Sequence, residues 1–414
     1  MKTINLFLAD INVAGNTSGV DRYISVLIEG LKKYININIC RINFKHDSER
    51  LFCKETVNDG YTEFTVPMPQ SPNEMISEEF WTNRYNENAY YITEHLFKNK
   101  ENMILHLHTL NLMDFALVVR KHYPECKIIT HLHCIPWKGF FNSNISRFNR
   151  LYRQIYIDND IPAMELLVSN HSELRSYNEA DRIICVTRCA SDFLTRMMGI
   201  NPSKIAIICN GISDKASGIL PAERKNKDFM FLYVGTISPS KGLLYILEAM
   251  RKLKDQGYTV SLIAAGKGQK VYVEQIKLSY PDLRFRFTGS ISFDELKDYY
   301  MTCDAGIIAS LQEQCSYVAI EMSMFGMPLI TTAVDGLDEM FIDEENALKV
   351  STRFSNVYGL SADTDDMANK MKRLIDDKEL RYRLGNNIRK LYEKNFGVDE
   401  MIEKTIEIYN ELLL

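Results

Sequence analysis

Residues 229–242 read FMFLYVGTISPSKG: six apolar residues, a glycine, a serine-proline pair and a lysine. An unbroken apolar run of this length describes a strand covered on both faces, whereas a strand with one wet face would alternate. Gly235 supplies a turn, and Ser238 and Pro239 read as a cap and a first-turn proline. Leu243, Leu247, Met250 and Leu253 then continue as one helical stripe closed by Gly257. A strand leading straight into a helix is the unit from which parallel α/β sheets are built. Lys241 is expected in the first turn of that helix, where a cation opposes the helix dipole, so an anion is expected beside it.

Similar runs occur at Ile4 to Leu8, Met103 to Leu107, Lys127 to Leu132, Arg182 to Val186, Ile205 to Cys209, Thr259 to Ala264, Ala305 to Ala309 and Pro328 to Thr331, with helical text between them. The pattern predicts two doubly wound domains, with sites at the carboxyl ends of the strands facing a shared cleft. The polar stretch 213–228 (SDKASGILPAERKNKD) is the expected hinge. The expected domains are therefore 1–213, 214–395 and a terminal helix, 396–414, packing back toward the first. Ser292 to Glu295 reads as a capping box, and the chain from Tyr382 reads as two helices broken near Gly397. Glu55 to Asn73, with Pro67, Pro69 and Pro72, reads as a surface loop.

Composition narrows the function. The chain has 414 residues, 46% hydrophobic and 25% charged, with 49 basic against 54 acidic side chains, so its net charge of -5 does not describe a nucleic-acid surface. Nowhere do about 18 apolar residues run together, so no membrane span is expected. The first apolar run stops at Asp10 and is not read as an export signal. Nine cysteines without a Cys-x-x-Cys pair then read as reduced thiols of a cytoplasmic protein, without disulfides or structural zinc.

The densest chemistry is EQCSYVAIE, Glu313 to Glu321, just after the run ending AGIIAS. A helix beginning near Ser316 would turn its free N–H groups toward an anion, with Glu313 ahead of it and Glu321 in its second turn. One carboxylate could hold a sugar hydroxyl and the other a ribose. Asn210-Gly211 by itself is a turn, and Ala265-Gly266-Lys267-Gly268 ends another strand.

In order and spacing these elements resemble the retaining GT-B glycosyltransferases of family four (glycosyl transferases group 1), over nearly the whole chain. The resemblance rests on Ser18-Gly19-Val20-Asp21-Arg22, His106-Leu-His108, Thr130-His131-Leu-His133-Cys-Ile-Pro136, Asn210-Gly-Ile212, Gly235 through Lys241-Gly242, Glu313 with Glu321, and Gly326-Met-Pro328 followed by Asp335 to Glu339. It implies two Rossmann-like domains and transfer of a sugar from a nucleotide-diphosphate sugar to a glycan, lipid-linked or peptide hydroxyl, with no further cofactor and no metal. By the same resemblance Gly19 and Gly235 would admit the donor, Lys241 would neutralise its diphosphate, and Glu313 would bind the transferred sugar. Thr236, Ser316 and Tyr317 would line the donor site, Glu321 would bind the ribose, and His133 would lie at the reacting centre. The chain departs from the family pattern at Thr236, where an arginine is usual. It also carries Cys315, Ser316 and Tyr317 where phenylalanine and glycine are usual, and one glycine instead of two in the first loop.

Other readings compete. Asp158-Asn-Asp160 matches the metal-binding Asp-x-Asp of the other large glycosyltransferase architecture. His106, His108, His131 and His133 alternate on two expected strands and share a face, which is zinc-ligand spacing, although histidines lining a polar cleft are the plainer expectation. Residues 137–156 interleave Lys138, Arg147, Arg150 and Arg153 with aromatics and contain no acid, so they are a candidate contact with a membrane surface. A sugar-nucleotide epimerase and a sugar-binding protein share the two-domain architecture.

Overall fold

The computed structural model describes residues 2–13, 19–46, 52–68, 78–135, 137–138, 143–154, 173–217 and 228–414. The chain forms two compact units: Met1–His133 with Asp160–Cys209 and Val398–Leu414, and Cys134–Asn159 with Asn210–Gly397.

Unit 1 is built on an eight-stranded sheet. Its strands are β1 (Ile4–Val13), β2 (Ile37–His46), β3 (Lys54–Asn58), β4 (Tyr61–Met68), β5 (Met103–Leu107), β6 (Lys127–Leu132), β7 (Arg182–Cys185) and β8 (Ile205–Ile207). Their order is β3-β4-β2-β1-β5-β6-β7-β8, and every pair is parallel except β3 with β4. The chain leaves β1 for β2 on one side and later returns to β5 on the other. The carboxyl ends of β1 and β5 therefore flank a topological switch point, where such sheets bind ligands.

Two expectations fail here. The stretch expected to be a loop contains the hairpin β3–β4. Pro67 is tolerated because Thr65 is the last β4 residue paired with β3, so beyond it one side of the strand no longer needs an N–H donor. Strand β2 is absent from the apolar runs because it alternates: Arg41 and Asn43 turn to Asp10 and Glu63, while Ile42 and Phe44 are fully buried.

Unit 2 contains β9 (Phe229–Val234), β10 (Val260–Ala265), β11 (Arg284–Gly289), β12 (Ala305–Ile308), β13 (Leu329–Thr332) and β14 (Leu348–Val350), all parallel, in the order β11-β10-β9-β12-β13-β14. A hairpin, β15 (Thr352–Ser355) with β16 (Gly359–Ala362), stands apart from the sheet. The expected helical stripe is real: helix Leu243–Asp255 buries Leu243, Leu247, Met250 and Leu253 against Phe231, Leu262, Met367 and Met371. Each such leucine contributes about 2 kcal/mol. The Ser292 capping box forms with both of its bonds. In this sheet the switch point lies between β9 and β12, and the lysine motif and the paired glutamates come directly after those two strands.

The last helix, Val398–Leu412, belongs to unit 1. It packs so close to helix Gly19–Leu31 that a methyl on Gly30 would lie 2.4 Å from Ile402. Among the described residues no helix is long and apolar enough to cross a membrane.

Candidate active site

In unit 2 the chain leaves β9 at Gly235, whose φ of 148° favours glycine and whose N–H donates to Ala265 at 2.9 Å. The Tyr233 hydroxyl reaches forward to the Thr236 carbonyl at 2.8 Å, and the Ile237 N–H donates to Lys267 at 2.8 Å. Burial, with the Glu313 charge nearby, pushes the Tyr233 phenol up, so it stays a neutral donor.

The segment beyond Ile237 does not open as the expected α-helix. Pro239–Lys241 is a single 3-10 turn, Ser238 makes no side-chain cap bond, and the helix proper begins after Gly242, which has φ 74°. A β-carbon on Gly242 would fall 1.9 Å from the Ala309 carbonyl oxygen, and the Leu311 N–H donates to Ser240 at 2.9 Å. The Lys241 turn is thus clasped backbone to backbone against the end of β12. The first of these contacts is one that only glycine permits.

The clasp sets Lys241 Nζ 2.6 Å from Glu313 Oε2, with side chains 34% and 20% exposed. A second clamp holds the glutamate's own backbone. The Gly336 N–H donates to the Glu313 carbonyl at 2.9 Å, and a β-carbon on Gly336 would collide with Gln314 at 1.5 Å. The neighbouring Asp335 adopts φ 42°, rare for a residue with a side chain, and Lys138 donates to its carboxylate.

Ser316 caps helix Tyr317–Met324 as expected, its hydroxyl accepting from the Ala319 N–H at 3.3 Å. Glu321 sits in the second turn, but 1% exposed, and accepts from the Tyr300 hydroxyl at 2.7 Å. Tyr317 is buried in the first turn. Asn210 is more than a turn residue: its side chain donates to the Cys315 carbonyl at 2.8 Å and its backbone N–H to Cys315 Sγ at 3.3 Å. Sequence reasoning misses Tyr300, Tyr233, Asn210, Lys138 and Asp335 as supports of the site. Asn210 and Asp335 are visible in the sequence as members of motifs, without these contacts, and the others carry no local signal.

Gly235, Thr236, Lys241, Glu313, Ser316, Tyr317 and Glu321 therefore lie on two segments that leave adjacent strands of one unit. Gly19 and His133 belong to unit 1. Gly19 opens helix Gly19–Leu31 with a φ outside the left-handed region and open space where a β-carbon would stand. His133 is half-buried just past β6, and its Nε2 lies 3.1 Å from His108 Nδ1. The other histidines do not line an open cleft: His106, His108 and His131 are all buried. Asp158 and Asp160 lie outside the described residues, as do Ser18, Phe140, Phe141 and Tyr156.

The arrangement matches known sequences in both halves. The family described as "Glycosyl transferases group 1" matches residues 220–391, and "Glycosyltransferase Family 4" matches residues 80–215. The chain belongs to the group 1, family 4 glycosyltransferases. Among its relatives is an uncharacterised glycosyltransferase of Methanocaldococcus jannaschii, 26% identical over 301 residues, 67% of this chain and 74% of that protein. A second from the same organism is 30% identical over 237 residues, 56% of this chain and 60% of that protein. A glycogen synthase of Mycobacterium tuberculosis is 26% identical over 234 residues, 56% of this chain and 54% of that one. The glycosyltransferase thus aligns with little more than half the length of the last two.

Among solved structures, sucrose-phosphate synthase from Thermosynechococcus elongatus superposes with a TM-score of 0.74 at 18% identity, covering 99% of both chains. Anabaena HepE, solved in complex with UDP-glucose, gives 0.67 at 13% identity, covering 99% of this chain and all of that one. At these identities the match establishes the fold of this glycosyltransferase, GT-B with two Rossmann-like units.

Proposed function

We propose that this glycosyltransferase moves a sugar from a nucleotide-diphosphate sugar to an acceptor hydroxyl on a glycan, a lipid-linked glycan or a peptide, with retained anomeric configuration. The observation that carries this reading is the Lys241–Glu313 pair, fixed by two glycine clamps at the switch point of unit 2. A lysine for the leaving diphosphate beside a carboxylate for the sugar is what transfer through an oxocarbenium-like state requires, because negative charge grows on one partner while positive charge grows on the other. The donor reading gains support from HepE, a protein of the same fold that has been solved with UDP-glucose.

In this reading Gly235, Thr236, Ser316 and Tyr317 line the donor, and Glu321, its rotamer held by Tyr300, takes the ribose. Gly19 admits the diphosphate: among the described residues nothing stands where its β-carbon would be. His133 contacts sugar or acceptor. No divalent ion serves the diphosphate, so turnover persists in chelator and manganese adds nothing. Arg147 and Arg150, exposed on helix Ile145–Gln154, form part of a surface for an anionic membrane.

The two glutamates provide the test. Ribose is held about equally before and during transfer, so Glu321→Gln raises the donor KM. Glu313 acts on charge that develops only in the transition state, so Glu313→Gln lowers kcat by roughly a hundredfold while nucleotide affinity holds. Thermal shift against UDP, GDP and ADP selects the nucleotide, and calorimetry with it checks the split. Unaltered kinetics in both variants would sink the assignment.

A further inference from the structure

Unit 1 gathers four of the chain's eight histidines where β5 and β6 end. The strands are parallel neighbours, with His106 opposite Ile129 and Leu107 opposite Thr130. Alternation along each strand then turns His106 and His108, and His131 and His133, to one side of the sheet. Ring centroids are 4.3 Å apart for His106 and His108, 5.4 Å for His106 and His131, and 4.1 Å for His131 and His133. Tyr23 closes the cluster edge-on to His131 at 4.5 Å, and Tyr409 of the last helix stands edge-on to His106.

The hydrogen bonding of this cluster does not close. His106 Nδ1 lies 2.8 Å from the Tyr409 hydroxyl, and His108 Nδ1 lies 3.1 Å from His133 Nε2. The remaining nitrogens of His106, His108 and His131 have no backbone, hydroxyl or carboxylate partner among the described residues. His106 Nε2 and His131 Nδ1 have only each other, at 3.3 Å, while His108 Nε2 and His131 Nε2 have nothing. A buried polar atom without a partner costs about 1–3 kcal/mol. Two such atoms, with a third and fourth nitrogen bonded only to each other, describe a set of ligands rather than a finished network.

We propose that His106, His108 and His131 bind one zinc-class transition-metal dication. One ring nitrogen from each lies within 4.8 Å of one from each of the others. Ligands about 2.0–2.1 Å from a tetrahedral zinc stand about 3.4 Å apart, close to the present His106 to His131 separation. His108 then has to close by roughly an ångström, within the reach of a small ring rotation. The Tyr409 contact on His106 Nδ1 is the outer-shell partner that fixes a ligand's free nitrogen toward a metal.

Besides its fellow histidines, His108 feels the charge of Arg41. That guanidinium is tied to Asp10 by two bonds, at 3.0 and 2.6 Å, and to Asp21 at 2.9 Å. The guanidinium is thereby held in its own ion pairs, away from the ring nitrogens. The sequence shows the spacing of the histidines but not their convergence, because sheet order decides which strands are neighbours.

The experiment uses the full chain, prepared without a histidine tag, stripped by chelator and titrated with cobalt(II) and zinc. One equivalent of cobalt is expected to bind with the intense visible bands of tetrahedral nitrogen coordination, and zinc is expected to displace it and raise Tm. His131→Asn and His108→Gln should abolish the bands, while replacing the exposed His95 should leave them unchanged. X-ray absorption on the zinc-loaded parent protein, which needs no variant, should count three imidazoles. Failure to bind one equivalent, binding that survives both variants, or a coordination shell of sulfur or carboxylate would overturn the proposal. Glutamate variants in unit 2 leave these readouts untouched, so the metal site and the transferase reading fail separately.

Discussion

At the strand ends of unit 1 the chain gathers imidazole and phenol; at those of unit 2 it gathers a lysine and a glutamate. The first cluster is buried, and desolvation has removed its charge. The second is partly exposed, its lysine and carboxylate 2.6 Å apart. The glycines differ in the same sense. Gly242 and Gly336 are there because backbone occupies the place of a β-carbon, whereas Gly19 has empty space in front of it. Unit 2 therefore carries a site assembled by its own steric constraints, whereas the features of unit 1 are those we propose to meet a ligand.

The largest effect should come from breaking that contrast at its glycines. Gly242→Ala forces a left-handed backbone on a residue with a side chain, about 1–2 kcal/mol. It also drives the methyl into a carbonyl that no rotamer can move, so unit 2 should lose well over 3 kcal/mol and the protein should melt early or express insolubly. Gly19→Ala should leave Tm unchanged and raise the donor KM. A Gly242→Ala protein as stable as the parent would mean that the clasp is drawn wrongly.

How much is legible in the sequence divides along the same line. The continuous runs of β9 and β12, both buried on two faces, announce themselves, and so do Ser316 and the Ser292 box, because capping is local chemistry. Strand β2 does not, since its polar residues serve Asp10 and Glu63 across the sheet. The position of Lys241 is misread because Ser238-Pro239 looks the same before a 3-10 turn as before an α-helix; Gly242 decides between them through Ala309, far along the chain. Tyr300 behind Glu321 and Lys138 behind Asp335 are tertiary supports with no local pattern. The membership of 134–159 in unit 2 is of the same kind.

Next in size is the loss of the cation. Thr236 cannot neutralise phosphate, so Lys241→Ala should cost on the order of 3 kcal/mol in kcat/KM. The pair is partly exposed, so its removal should change stability by less than about 1 kcal/mol. The gap between those two figures separates a functional pair from a structural one. Adding Thr236→Arg should recover part of the activity. Turnover within about threefold of the parent, under 1 kcal/mol, would show that another cation holds the diphosphate.

The histidine cluster should reveal itself through pH in the metal-stripped protein. Unfolded, each ring takes a proton below about 6.5; folded, His106 and His133 do so only near 3. The unfolded chain therefore binds more protons between those values. The stability present above pH 6.5 is lost as pH falls toward 3, by about 2 kcal/mol per ring at pH 5. Denaturant melts at pH 7 and pH 5, compared with those of His131→Asn, measure this loss. A parent protein equally stable at both values would mean that the rings titrate as they do in the unfolded chain and the cluster is not dry.

The smallest effect per residue is expected on helix Ile145–Gln154, where unit 2 offers positive charge to solvent. Phe148 is buried against Trp137, ring centroids 4.7 Å apart, so the helix is pinned on its apolar side. Arg147 and Arg150 remain exposed; the side chain of Arg153 lies outside the described residues. Asn144, just before the helix, donates to the Ser355 and Asn356 carbonyls, which ties the helix start to a hairpin turn with Val357 and Tyr358 exposed. Basic side chains beside exposed apolar ones suit an anionic bilayer, where each arginine contributes about 1 kcal/mol at most and salt screens it. Arg150→Ala should therefore weaken sedimentation with vesicles containing anionic lipid by up to about fivefold, and the triple replacement with Arg147 and Arg153 by more. Neither should affect neutral vesicles or donor hydrolysis. If the triple variant and the parent bind anionic vesicles equally, and added salt changes neither, these arginines are a solvated edge of unit 2 and the site's charge is confined to Lys241 and Glu313.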